Sequence, residues 1–323
     1  MTAPAAPATS RIATTGTRDY DTWTLWEVDM AGDITGLGVY RGQGAAEVFS
    51  ENFMFAGTIT TASDYVVMEP ELGAKHTGLV TTGCRITSAA SGGTVRINTD
   101  YLRIEGLCIL NTSNNPAVSY GLGVRTPGAN DNRMRSCILK AGATSATTNV
   151  LSASRADLVF TIENTVIYGP LRTLDTRFSA TVTINHVTGW RTADQLGFVC
   201  RAGTTITNSY SGKASGSQQD FWLGNPFSDP DGSNNVSSDT TATTDFTGSA
   251  VSKAGSDQFT NVTVGSEDFS LKAGAFLIDF GTGALATDII GATRDGSPDV
   301  GAFEFVAEGG GTILPQMMMM GVG

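Results

Sequence analysis

Five short segments share one pattern: Ile104-Glu-Gly106-Leu-Cys108, Met134-Arg-Ser136-Cys-Ile138, Ile162-Glu-Asn164-Thr-Val166, Ile184-Asn-His186-Val-Thr188 and Ile206-Thr-Asn208-Ser-Tyr210. Each reads apolar, any, small-or-amide, any, apolar-or-small, and their starts are 30, 28, 22 and 22 residues apart. The period of two inside each segment marks a strand with one buried face. Strands recurring at this spacing, with no helical pattern between them, predict an all-β chain folded as a right-handed parallel β-helix. Its coils stack about 4.8 Å apart, so equivalent residues form columns. The inward central column is expected to read Gly106, Ser136, Asn164, His186, Asn208, with stacked amides satisfying one another and the turn backbone. The outward column beside it reads Glu105, Arg135, Glu163, which sets opposite charges on neighbouring coils as a salt-bridged ladder. An antiparallel sandwich is the competing architecture, but tight Asn-Gly or Asp-Gly hairpin turns are rare here.

Working outward, Asp64–Glu69, Cys84–Ile86, Thr94–Ile97 and Tyr101–Ile104 read as earlier strands. Beyond residue 212 the repeat fades, and 211–256 reads as a long Ser-, Gly-, Thr- and Asp-rich loop with one weak coil at Asn235-Val236. A β-helix exposes hydrogen-bonding groups at both ends and needs covers. In Arg18-Asp-Tyr-Asp-Thr-Trp23-Thr-Leu-Trp26-Glu27, Tyr20, Trp23 and Trp26 fall at i, i+3 spacing. This predicts a short amphipathic helix capping the first coil. The expected plan is an arm over 1–17, a β-helix over 18–308 and a tail over 309–323. Within the β-helix the cap takes 18–30, the coils about 58–265 and a closing segment 266–305. The tail follows a Gly309-Gly-Gly311 hinge and is apolar, with Met317, Met318, Met319 and Met320 as its docking residues.

The stretch Asp268-Phe-Ser-Leu-Lys-Ala-Gly274, continuing through Ile278-Asp279 and Asp288-Ile-Ile-Gly-Ala-Thr-Arg294 to Pro298-Asp299-Val-Gly-Ala-Phe-Glu304, is the most specific in the chain. It resembles the closing segment of right-handed parallel β-helix repeat proteins, roughly DFxLxxGSPxID followed by DxxGxxRxxxPDIGAxE. Ala275-Phe276-Leu277 stands where Ser-Pro-Ala is usual, and Val300 replaces Ile. The opening RDYxTxxxWE also resembles the N-termini of β-helix proteins encoded by phages and prophages. Asp279, Asp288, Arg294, Asp299 and Glu304 could suggest an active site. An arginine held between carboxylates is the stronger reading, as a pin for a terminal turn.

Of the 323 residues, 16% are charged, against roughly 25% in an ordinary domain, and the net charge is −11. An acidic chain argues against phosphate-backbone contacts, so no nucleic-acid partner is expected. No run of about 20 apolar residues exists, so no membrane span is expected. The N-terminus lacks the apolar core of a signal peptide, and export by the general secretory route is not expected. Cys84, Cys108, Cys137 and Cys200 are widely spaced and read as buried free thiols. His76 and His186 are too few for a zinc site and have no triad partners, so neither metal nor cofactor is expected.

The chemistry-bearing motifs are sparse. Asp229-Pro-Asp231-Gly-Ser-Asn-Asn235 lacks the downstream glutamate of a calcium loop and reads as a turn. Glu105 and Glu163 would sit two coils apart, roughly 10 Å if stacked, with Arg135 between them holding both ionised, which does not suit a glycosidase pair. Asp220 is the lone catalytic candidate, with Phe221 and Trp222 beside it as carbohydrate-contact candidates. Trp222 reads more readily as a loop anchor. His186, with Asn164 and Asn208, is assigned a structural place in the ladder.

By resemblance, the chain is expected to be a non-catalytic structural component of a phage virion, either a capsid decoration or a tail protein. It would be a homotrimer docking onto other virion proteins through its terminal arms, with a host-surface glycan as a further partner. The alternative is a polysaccharide depolymerase or lyase, or a carbohydrate-binding adhesin.

Overall fold

A computed structural model describes residues 3–307 apart from 90–92, 114–115, 121–129, 143–148, 154–157, 171, 177–180, 201–202, 223–229, 243–245 and 284. The chain is a parallel β-solenoid with three strands per coil, and its strands build three long sheets. Sheet one has nine strands: Thr9–Ile12, Tyr40–Gly44, Val66–Pro70, Leu102–Glu105, Asn130–Arg135, Leu158–Glu163, Thr181–Asn185, Thr204–Thr207 and Asp231–Ser233. Sheet two follows across a corner, with eight strands running from Val48–Ser50 to Val236–Ser237. Sheet three has seven, from Phe53–Ala56 to Phe221–Trp222.

The register is the one the repeat implies. Ile104, Met134, Ile162, Ile184 and Ile206 are successive partners along sheet one, and all are buried in one core. Burial of such a side chain contributes roughly 1.5–3 kcal/mol, so the column is a continuous source of cohesion along the axis. On sheet two the fifth positions of the repeat, Cys108, Ile138, Val166, Thr188 and Tyr210, form a second column. These face away from the solenoid interior and are buried all the same.

The central repeat residues are corner residues, not interior ones. Gly106, Ser136, Asn164, His186, Asn208 and Asn234 have φ of 66, 53, 44, 52, 50 and 54°. One left-handed residue turns the chain from sheet one into sheet two within two residues. Glycine enters that region freely, and asparagine tolerates it because its short side chain bonds locally. The side chains therefore leave the core and face the flank.

At the N-terminal end, helix α1 (Trp23–Met30) begins at Thr22, whose hydroxyl accepts from Leu25 N at 3.1 Å. Glu51 accepts from Trp23 N and Thr24 N, both at 2.9 Å. Trp23, Trp26 and Met30 plug the open solenoid. They fit because the inward residues of the coil beneath are Gly42 and Gly44. A Cβ there would lie 2.8 Å from Trp26 and 2.7 Å from Trp23. Tyr20 lies before the helix, bridged to Ile12.

Three expected boundaries shift. The arm over 1–17 contains Thr9–Ile12, which is the first strand of sheet one. Coils begin there and at Tyr40 instead of near 58. Segment 211–256 is not a long loop. Tyr210–Lys213, Phe221–Trp222, Asp231–Ser233 and Val236–Ser237 extend all three sheets. These strands are two to four residues long, too short to show as an apolar period. Phe246 packs on Phe221 at 5.3 Å and closes this end of the core. The tail, with Met317–Met320, lies outside the described residues.

The closing segment does not close the end. The antiparallel hairpin of Phe259–Asn261 and Asp268–Leu271 and the turns that follow it lie along the flank as a strap over sheet two. Phe269 meets Tyr168 at 5.2 Å, Phe259 meets Tyr210 at 5.0 Å, and Trp190 packs against Gly255. A second apolar core forms between strap and sheet, with Leu277, Ile289, Val300 and Phe303 on the strap side. Sheet two is thus buried on both faces, the usual state of a parallel sheet.

Candidate functional site

The corner column is the surface that receives the strap. Asn234 Nδ2 donates to Phe280 O at 3.2 Å, and Asn208 Nδ2 donates to Thr282 O at 2.8 Å while its Oδ1 accepts from Thr282 N at 2.9 Å. His186 Nδ1 lies 3.0 Å from Asp299 O and its Nε2 3.3 Å from Asn208 Nδ2. The first nitrogen must therefore donate and the second accept, which is the neutral ring. Asn164 Nδ2 donates to Thr287 O, and its Oδ1 accepts from Arg294 at 3.0 Å. The amides mainly bind the strap, where stacking on one another was expected.

Arg294 is the centre of the strap. It pairs with Glu304 at 2.9 Å and also donates to Gly301 O at 2.9 Å and Asp299 O at 3.2 Å. The other carboxylates serve backbone instead of sandwiching the arginine. Asp288 Oδ1 accepts from the amides of Ile290, Gly291 and Ala292 at 2.8–2.9 Å. Asp299 accepts from Asp279 N at 2.8 Å and from Phe305 N. Burial lifts the Asp299 carboxyl to about 6. These residues pin the strap to the flank, not a terminal turn; Glu304, at the edge of a shallow depression of about 650 Å³, is engaged by Arg294.

Asp220 occupies the solenoid interior. Its side chain is fully buried and paired with the equally buried Arg191. Ser238 Oγ donates to it at 2.7 Å and Asp239 N at 2.9 Å. Burial pushes its carboxyl upward against the pull of Arg191. Phe221 is a core ring, 5.4 Å from Phe198. A sugar can reach neither, so both leave the list of contact candidates; only Trp222, half-buried on the outer face of sheet three, keeps an exposed edge. The Asp-Phe-Trp run looks like a loop in the sequence, whereas Asp220 is a buried bend residue leading into the edge strand Phe221–Trp222 of sheet three. Asp229 lies outside the described residues, and among those described no three His, Cys, Asp or Glu side chains cluster as metal ligands.

The open site lies elsewhere. Corners in the middle of the solenoid take two residues, but the corner after Val66–Pro70 takes 71–84. This excursion folds over the neighbouring corners. His76 Nε2 donates to Ser136 O at 2.7 Å, and its Nδ1 accepts from Gly78 N at 3.2 Å. Burial holds that ring down at about 4. Between excursion, sheet one and strap lies a groove of about 390 Å³ whose charged lining is Glu69, Glu71, Lys75, Glu105 and Arg135. Glu105, Arg135 and Glu163 do share one column. Among the described residues, however, their side chains form no ion pair, so the expected salt-bridged ladder is a column of neighbours only. Lys75 and the groove went unrecognised in the sequence. The available signal was the length of the 71–84 insertion where the other corners between sheets one and two take two or three residues.

No family model and no curated protein sequence matches the chain. Among solved structures, it is similar to the deglycosylated pectin methylesterase from Aspergillus niger, with 12% identity and a TM-score of 0.51 over 82% of this chain and 93% of that one. The penultimately deglycosylated form of the same enzyme gives 12% identity and 0.48 over 83% and 89%. Pectate lyase Pel9A gives 12% identity and 0.37 over 82% and 87%. At this identity the first likeness establishes the parallel β-solenoid and nothing finer.

Proposed function

We propose that the chain is a non-catalytic structural component of a phage virion. It would be a β-solenoid displayed on the particle as a capsid decoration or tail protein, assembled as a homotrimer and docked through its terminal segments onto other virion proteins. The observation that carries this reading is the closed rod. The open end is plugged by Trp23 and Trp26, the other end by Phe246, and the flank of sheet two is sealed by the strap. The buried ionic groups Asp220, Arg191 and Arg294 are all held in structural pairs. Such a body resists fraying and end-to-end pairing, as a particle surface demands. The resemblance of Arg18–Glu27 to the N-termini of phage-encoded β-helix proteins supports a particle as its setting. Mass spectrometry of gradient-purified particles from a producing host tests it: the chain should be present at stoichiometric level, and deletion of 309–323 should remove it while leaving its fold intact. Absence from intact particles would refute the reading.

A second reading, a polysaccharide depolymerase, lyase or carbohydrate-binding adhesin, is favoured by the charged groove beside Glu105 and by a fold shared with a pectin methylesterase. Reducing-end and unsaturated-uronate assays on capsular and anionic polysaccharides separate the two. Reproducible turnover would overturn the structural role.

A further inference from the structure

The strap and the corner column fit one another where the corner residue is Asn164, His186, Asn208 or Asn234. Nearer the N-terminus the corner shrinks to Gly106 and Ser136, and the groove opens in front of them. Gly106 is needed there. A Cβ on it would come within 3.1 Å of the Pro70 ring and 3.4 Å of Lys75 Cγ.

The charges around this groove are not all paired. Glu69 is held by Arg41 and Gln43 at 2.8 and 2.9 Å, and Glu71 by Arg11. Among the described residues, the side chains of Lys75, Arg135 and Glu105 make no hydrogen bond or ion pair. Two unpaired cations, Lys75 and Arg135, and one unpaired carboxylate, Glu105, thus line the groove, with the Asp288 carboxylate close enough to act on Lys75. Lys75 is more than half buried, and burial holds its ammonium below the usual lysine range. A partly desolvated ammonium with no partner is stabilised by an arriving anion far more than one in bulk water. Arg135 adds a planar donor fork suited to carboxylate or phosphate oxygens. Glu105 and the hydroxyls of Ser136 and Thr287 line the same space and suit neutral hydroxyl groups. The volume falls at the small end of ligand pockets, roughly 300–1,000 Å³.

We propose that this groove binds a small hydroxylated oxyanion, a carboxylate or phosphate monoester held by Lys75 and Arg135 with its hydroxyls toward Glu105, Ser136 and Thr287. The site is independent of the virion reading, and its test does not depend on particles. Calorimetric titration of the whole chain with gluconate, glucose 6-phosphate, inorganic phosphate and glucose is the experiment. Saturable binding is expected for gluconate or glucose 6-phosphate, the tighter of the two naming the oxyanion, and none for glucose. Lys75→Met and Arg135→Gln should each weaken it about tenfold or more, and added salt should weaken it further. Both side chains lack partners, so the melting temperature should not move. Leu72→Glu, at a fully exposed wall position, is a further variant that cannot disturb the core and should repel the anion. Absence of saturable binding by both organic anions, binding indifferent to all three substitutions, or inorganic phosphate binding as tightly as glucose 6-phosphate would overturn the proposal.

Discussion

Replacing Arg294 by methionine keeps most of the side-chain volume and removes the charge on which the strap converges. The guanidinium is buried, and its partner Glu304 has a side chain only 6% exposed. Without it, Glu304 is left as an unpaired buried carboxylate, and Asn164 Oδ1, Gly301 O and Asp299 O each lose a donor. Removing one partner of a buried pair costs about 3–5 kcal/mol. The strap lies outside the solenoid core, so the loss should appear as local opening and leave global unfolding little changed. At about 1.4 kcal/mol per decade, exchange of strap amides should accelerate by roughly two to three and a half orders of magnitude. Hydrogen exchange read by mass spectrometry checks this at Gly301, Val300 and Ile289, whose amides bond to Asn208, Leu277 and Ala302 carbonyls. Amides of the central rungs around Ile162 serve as the internal reference. Arg294→Lys, which keeps the charge and loses the fork, should fall between. Strap amides that keep their protection in Arg294→Met, or acceleration spread equally over strap and rungs, would refute the view that the strap docks as a unit through this residue.

Gly44→Ala should lower stability by about 1–3 kcal/mol through overpacking against the Cys84 thiol and Trp23, read from chemical melts; a neutral change would contradict the close packing of both on this coil. Asp220→Ala leaves the buried Arg191 unpaired and should destabilise by about 3–5 kcal/mol; a variant as stable as the parent would contradict the interior placement. The two histidines should cost stability on acidification from pH 6.5 to 4. Burial holds His76 at about 4 and His186 at about 3, so below about 6.5 the unfolded chain takes protons that the folded chain refuses. Asp299, lifted to about 6 by burial, works the other way, as do Asp220 and Glu27, also raised by burial, so the histidine contribution is read as the difference between the parent and a variant lacking both histidines. Melting temperature across this range tests it: acidification should cost the parent more than a variant with both histidines replaced by glutamine, and equal changes in the two would contradict it.

The parts of this architecture that repeat were legible, because a column is written in the sequence as a spacing. Ile104 to Ile206 could be aligned by their period alone, and Trp23 and Trp26 by helical spacing. What lay hidden is set by contacts across long sequence separations. Asn164 and Thr287 are 123 residues apart, and nothing in Ile162-Glu-Asn164 says whether its amide meets a neighbouring coil or a strap. The left-handed corner conformation explains both why Asn and Gly recur and why their side chains leave the core, a distinction the period of two does not make. Asp220 was not legible as buried because it precedes a strand of only two residues, too short to show a period. The groove was missed because Lys75 has no motif: its character comes from the excursion that half buries it beside Arg135, sixty positions on.

The central claim is that the C-terminal segment runs back along a column of stacked corners. Paired cysteines at Asn234 and Thr282, whose side chains lie 3.1 Å apart, test it directly under mild oxidation. Thr183 and Thr205, partners on adjacent rungs, provide the control for the stacking itself. Peptide mapping should find the 234–282 disulfide as readily as the 183–205 one. A control that links while 234 and 282 remain free thiols would show that the strap lies elsewhere, and failure of both would remove the solenoid.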